Sequence, residues 1–198
     1  MPQIVILAGP NGAGKSTCAA RYVPRSIPFI NADNIAREMN LPLGRSADLA
    51  AGRVLIAQME ELERQQTSFA LETNLANHTL AKRIPQWREA GYEVALFFVW
   101  IPSDDMAVRR VAQRVLSGGH DILEATIRRR YRVGLRLFFQ VYQSLVSRWR
   151  LYDNSSLSGP LLVAQSVRLP QSEKRTGLRV KRRMLWESIL QDLGKTNE

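Results

Sequence analysis

Gly9-Pro10-Asn11-Gly12-Ala13-Gly14-Lys15-Ser16-Thr17 places three glycines, a lysine and two hydroxyls directly after the apolar run Ile4–Ala8. A turn that only reversed the chain needs one or two glycines and no lysine. The spacing Gly9-x4-Gly14-Lys15-Ser16 is that of a phosphate-binding loop, in which backbone N–H groups and the start of the next helix cradle an anion. Lys15 is expected to reach the β- and γ-phosphates of a nucleoside triphosphate, and Ser16 to ligate Mg²⁺. Residues 9 to 17 are thus the expected nucleotide-binding segment.

Binding a triphosphate does not identify the reaction. Two acids nearby narrow it. Asp33, in "PFINADNIAR", ends a second apolar run, and Glu72, in "FALETN", ends a third. Carboxylates at adjacent strand ends beside a phosphate loop can accept a proton from an attacking hydroxyl or help to hold Mg²⁺. Asp33 is the candidate base and either acid a candidate Mg²⁺ ligand. Asp33, Glu72 and Thr73 are the candidate substrate contacts. The alternative for Asp33 is a cap on a helix starting at Asn34; for Glu72 it is also capping.

The third group is basic. The chain carries a net charge of +10, and residues 106–150 hold ten arginines and no lysine against only Asp121 and Glu124, a net +8. Arginine alone suggests forked contacts with phosphate or carboxylate. Arg110 and Arg114 share one helix face, and Arg128, Arg132 and Arg136 share another, with Arg129 and Arg130 beside them. Gly118-Gly119 lies between the two helices, an arrangement suited to a closing lid. Arg114 and Arg130 are the candidate catalytic arginines and Arg128 and Arg129 the candidate nucleotide contacts. Most of the ten are expected to form a solvated face, and His120 to be a polar loop or capping residue.

Short apolar runs alternate with helical patterns, and these elements must position the groups above. Strands are expected at Ile4–Ala8, Pro28–Asn31, Ser68–Glu72 and Glu93–Ile101. Helices are expected at 16–22, 46–65, 79–90 and 103–116, the last capped by Ser103. A further helix is expected from about Leu123 to Trp149, then a short strand at 150–155 and a last strand at Leu161–Val167. The tail, apolar at Met184, Leu185, Ile189, Leu190 and Leu193, reads as a docking helix. Strands alternating with helices predict an α/β fold with a parallel sheet covered on both faces.

At 198 residues, 45% hydrophobic and 23% charged, the chain suits one globular domain. The domain is expected to span 1–198, with a lid around 114–130 and a C-terminal strand plus helix at 161–193. No apolar stretch reaches membrane-spanning length and no basic leader precedes the first strand, so no membrane partner is expected. A single cysteine, Cys18, fits a reduced, cytoplasmic setting.

"GPNGAGKST", "NAD", "LET" and above all "RVAQRVLSGGHDILEATIRRRY" followed by "RWRLYDNS" resemble the zeta toxin family of P-loop kinases, in its compact, ABC-ATPase-like branch, over residues 1–165. The resemblance implies a nucleotide-kinase-like fold with an arginine-bearing helical lid, and ATP with Mg²⁺. It implies transfer of the γ-phosphate to a sugar hydroxyl of UDP-N-acetylglucosamine or a related sugar nucleotide, and a toxin held by a small antitoxin. By position, Lys15 and Ser16 match the phosphate lysine and Mg²⁺ hydroxyl, Asp33 the base, Glu72 and Thr73 the substrate contacts, and Arg114 with 128–130 the lid arginines. Two departures stand out: the family's Glu-Gly-Thr is here Glu72-Thr73-Asn74, and the chain is shorter than the well-known toxins. The +8 segment keeps a second reading in play, a nucleic-acid-associated NTPase or polynucleotide kinase. A phosphate-binding module without catalysis is a third, and the presence of Lys15, Ser16 and Asp33 together speaks against it.

Overall fold

The computed structural model describes residues 1–39, 45–119, 121–156, 158–169 and 172–195. The β-branched run at the start forms β1 (Gln3–Ala8), buried on both sides. In chain order follow α1 (Lys15–Tyr22), β2 (Phe29–Ile30), α2 (Ala32–Glu38), α3 (Arg45–Arg64), β3 (Phe69–Thr73), α4 (Thr79–Glu89), β4 (Glu93–Trp100) and α5 (Asp104–Leu116). Then come α6 (Glu124–Leu137), a π-helical turn at Phe138–Tyr142, α7 (Gln143–Leu145), β5 (Arg148–Asp153), β6 (Leu161–Leu169), β7 (Ser172–Val180) and α8 (Arg183–Lys195).

The sheet order is β2-β3-β1-β4-β5-β6-β7. The first five strands are parallel, and β5-β6 and β6-β7 are antiparallel. Alternate residues of β1 face opposite cores: Ile4, Ile6 and Ala8 pack with Ile84, Trp87 and Phe138, while Val5 and Leu7 pack with Cys18, Val111 and Ile127. The expected α/β sheet with helices on both faces is present. Registers Ala8↔Thr73 and Ala8↔Phe98 bring the carboxyl ends of β1, β3 and β4 level, so the loops after them share one edge.

The long helix expected to reach Trp149 ends instead at Leu145. Trp149 belongs to β5, where its ring meets Phe138 edge-on at 5.7 Å and stacks on Trp186 at 6.2 Å. Residues 135–151 contain no glycine or proline to stop a helix, and tertiary burial of these rings decides the boundary. The strand expected at 150–155 accordingly runs two residues earlier. Nor is β6 the last strand: β7, written SEKRTGLRV, lacks alternating hydrophobicity because it is an edge strand. In α8, Ile189 is buried and Leu185, Trp186 and Leu193 pack on the core, while Met184 and Leu190 are exposed. No described helix is long and apolar enough to cross a membrane.

Gly134 seats α6 on the turn after β3. A Cβ there would lie 2.4 Å from the Asn74 carbonyl oxygen, a backbone atom with little room to yield. Gly134→Ala is expected to cost roughly 1–3 kcal/mol. Thermal denaturation should show a melting temperature lower by roughly 2–4 °C per kcal/mol for a domain of this size. An unchanged Tm would mean α6 does not bear on that turn.

Candidate active site

The loop after β1 ends at Gly14, whose left-handed backbone (φ 82°) opens α1. An L side chain is strained there, which is why the position is glycine. Lys15 follows at 6% exposure. Its Nζ donates to the Pro10 carbonyl (3.0 Å) and Asn74 Oδ1 (3.3 Å), and it pairs with Glu72 Oε1 at 3.5 Å. Burial pushes the Lys15 pKa below that of an ordinary lysine, partly offset by the negative charges of Glu72 and Asp33.

Glu72, near the end of β3, is the hub. Its Oε2 accepts from Ser16 Oγ and from Asn31 Nδ2, both at 2.8 Å. Neither acid caps a helix through its side chain in these contacts. Asn31 does so for α2: its Oδ1 accepts from the backbone N–H of Asp33 (2.7 Å) and Asn34 (3.4 Å). The helix therefore starts at Ala32 rather than Asn34, and Asp33 sits in its first turn with its carboxylate directed elsewhere. Asp33 Oδ2 lies 4.0 Å from Arg114 Nη1, both side chains roughly half exposed.

These groups line one cavity of about 300 Å³. Asn11, Gly12, Gly14, Lys15, Ser16 and Thr17 form one wall; Asn31, Ala32 and Asp33 a second; Glu72, Thr73 and Asn74 a third; Arg110 and Arg114 close it. Ser16 hydroxyl with Glu72 and Asp33 carboxylates is an all-oxygen donor set, suited to a hard cation that keeps several waters. Among the described residues no cluster of three His, Cys, Asp or Glu is placed to hold a metal by itself.

The remaining expected residues have different surroundings. Gly9 and Ala13 are buried, and Pro10 contributes its carbonyl to Lys15. Arg130 Nη1 stands 3.5 Å from Asn11 Oδ1, so this arginine does reach the loop. Arg128 does not line the cavity: Asp104 (2.9 Å), Asp105 and Glu124 (both 2.8 Å) surround its guanidinium. Arg129 is exposed on α6 and also lies outside the cavity lining. At the expected hinge, Gly119 N–H donates to the Arg114 carbonyl at 2.9 Å, a closed helix end. His120 lies outside the described residues. Asn31 and Asn154 were not expected at the site. A signal existed: these two asparagines, like Asn74, each stand one residue past the end of a parallel strand, β2, β5 and β3 respectively.

A family model described as AAA domain matches residues 4–133. The chain belongs to this AAA domain family. Over 127 residues the AAA domain protein is 32% identical to an uncharacterised protein of Haemophilus influenzae, covering 64% of this chain and 91% of that one. It is 24% identical to a cytidylate kinase of Ignicoccus hospitalis over 169 residues, 83% of this chain and 96% of the kinase. Among solved structures it superimposes on the AvrRxo1-ORF1:ORF2 complex with ATP with a TM-score of 0.74 at 16% identity, covering 96% of this chain and 63% of that one. The PezAT toxin–antitoxin system of Streptococcus pneumoniae gives a TM-score of 0.59 at 16% identity, covering 98% and 87%. The AAA domain protein thus has a P-loop kinase-like, nucleotide-binding fold, and it spans less than two thirds of the AvrRxo1 chain it matches.

Proposed function

We propose that this protein is an ATP-dependent phosphotransferase of zeta toxin type that moves the γ-phosphate to a hydroxyl of a small molecule, a sugar nucleotide such as UDP-N-acetylglucosamine. The observation that carries the reading is the pairing of Asp33 with Arg114 across a cavity floored by the phosphate loop. Lys15 and Arg114 neutralise charge on the transferring group, as positioned cations do in phosphoryl transfer. Asp33 takes the proton of the acceptor hydroxyl as its oxygen forms the new P–O bond and the β–γ bridge bond breaks. Ser16 with Glu72 or Asp33 would hold Mg²⁺, which supplies charge neutralisation at the phosphates. Thr73 lines the acceptor side, Arg130 joins as a lid arginine through Asn11, and Arg129 is offered to nucleotide only on lid closure.

One domain over 1–198, with a lid around 114–130 and the 161–193 appendage, is the organisation this reading requires. The likeness to two toxin–antitoxin or two-gene complexes supports a small protein partner. A reduced, cytoplasmic setting agrees with the buried free thiol of Cys18.

The arginine-rich segment speaks for a small acceptor over nucleic acid. Arg110 binds backbone carbonyls, Arg128 three carboxylates, Arg114 Asp33, and Arg148 Glu93 at 3.2 Å. Three of the ten arginines are therefore paired with carboxylates of this chain, and a fourth is engaged by its backbone. Incubating the protein with γ-labelled ATP, Mg²⁺ and separate panels of UDP-sugars, other hydroxylated metabolites and 5′-hydroxyl oligonucleotides tests the reading. Label is expected on a small hydroxylated molecule. Label on oligonucleotide would establish the polynucleotide kinase alternative, and label only in inorganic phosphate would overturn both.

A further inference from the structure

Besides the contacts of Lys15 and Glu72, a second set of contacts ties the phosphate loop to α5 and to the chain after β5. Arg110, on α5, donates from Nη1 to the Asn154 carbonyl (2.9 Å) and from Nη2 to the Ser155 carbonyl (3.1 Å), with Nη1 also 3.5 Å from the Gly12 carbonyl. Asn154, the residue after β5, donates from Nδ2 to the Ala13 carbonyl at 2.8 Å. Its own backbone N–H is fixed on the Trp100 carbonyl at 2.9 Å. Ser155 is held in turn by the Asp153 carboxylate, through N–H (2.9 Å) and Oγ (3.1 Å). A forked, permanently charged guanidinium bridging three carbonyls is an arrangement no lysine reproduces.

Glycine is required on the same side. A Cβ on Gly14 would meet Asn154 Nδ2 at 2.6 Å, and one on Gly12 would meet the Ala107 carbonyl of α5 at 2.8 Å. The loop is therefore pressed against the elements that carry Arg110 and Asn154.

We infer that Arg110 and Asn154 are positioning residues that hold the phosphate loop in its anion-binding form before nucleotide arrives. The geometry gives the reason. In a trans peptide the C=O and the following N–H point in opposite directions. Fixing the Ala13 carbonyl on Asn154 therefore turns the Gly14 N–H away from Asn154, toward the side on which Gly14 lines the cavity. A loop with three glycines has many competing conformations, and ordering it is otherwise charged against binding. The clasp orders it during folding. The role rests on the reading of the loop as the nucleotide site, yet the ordering itself is measurable without nucleotide.

Asn154→Asp keeps shape and replaces the donor by an oxygen facing the Ala13 carbonyl; Arg110→Met keeps length and removes every donor. In nucleotide-free protein, amide hydrogen exchange in peptides covering residues 12–15 should accelerate about ten-fold or more in each variant, with β1 and β4 unchanged. ATP Kd should rise about ten-fold in each variant, because the loop must then be ordered at the moment of binding. Arg110→Lys should recover part of the affinity. The double variant should lose less than the product of the single losses, since both residues hold one segment. Unchanged exchange at 12–15 overturns the inference. So does a fall in kcat without a change in Kd, which would place Arg110 on the transferring phosphate. Exchange accelerated through every strand overturns it too, as loss of general stability. Should wild type bind no ATP, the nucleotide reading fails, and the exchange arm still decides the clasp.

Discussion

Asp33→Asn is expected to bind ATP normally and to transfer its γ-phosphate about 10²–10⁴ times more slowly, the range for loss of a positioned general base. The substitution is a narrow one. The Asp33 backbone N–H, not its carboxylate, is what Asn31 Oδ1 uses to start α2, so helix and sheet edge survive it. The amide also keeps the carboxylate's volume in a half-exposed position. What is lost is an oxygen able to take a proton and a negative charge 4.0 Å from Arg114. Single-turnover transfer from bound ATP, set beside ATP affinity measured with and without Mg²⁺, separates the roles. Loss of Mg²⁺-dependent affinity with unchanged transfer from the bound state would make Asp33 a metal ligand and sink the base assignment.

That Asp33 was visible in the sequence and its supports were not follows from the physics of each signal. A phosphate loop is local: its spacing of glycines, lysine and serine is complete within nine residues, so the β1–loop–α1 unit was legible. Alternating apolar runs gave the parallel strands β1 to β4 for the same reason. The helix that was expected to reach Trp149 ends earlier because residues 145–151 carry no glycine or proline stop, and only packing against Phe138 and Trp186 selects the strand. Edge strand β7 failed because its outer side needs no buried pattern. In the site, charge was read more readily than hydrogen bonding. Arg128 was expected to contact nucleotide, yet three carboxylates from α5 and α6 claim it. Asn31 and Asn154 carried no charge to draw notice, and each became meaningful only when sheet order brought β2 and β5 to the edge that β3 and Asn74 share. Their common place one residue past a strand end is a legible rule once that order is known.

Lys15→Ala is expected to reduce transfer about 10²–10³-fold, roughly 3–4 kcal/mol, because it deletes a buried, preorganised cation aimed at developing charge. The fold is expected to persist. Glu72 keeps Ser16 and Asn31 as donors at 2.8 Å, so its carboxylate is not left bare. Two readouts distinguish this from general damage. The first is pH. Burial lowers the Lys15 pKa from 10.5, so between the lowered value and 10.5 the unfolded chain binds more protons than the folded one. Wild-type stability contributed by this group therefore rises as pH climbs through that window, and Lys15→Ala lacks the rise. Melting temperatures of the two proteins should diverge in favour of wild type as pH approaches 10.5. The second is affinity: wild-type ATP binding should weaken over the same window as Lys15 loses its proton, while the variant's weaker binding shows no such step. Turnover within a few-fold of wild type would remove this loop from the chemistry altogether. A flat stability difference across the window would instead mean that Lys15 is not held as a buried cation, and the electrostatic account of its role would fall with it.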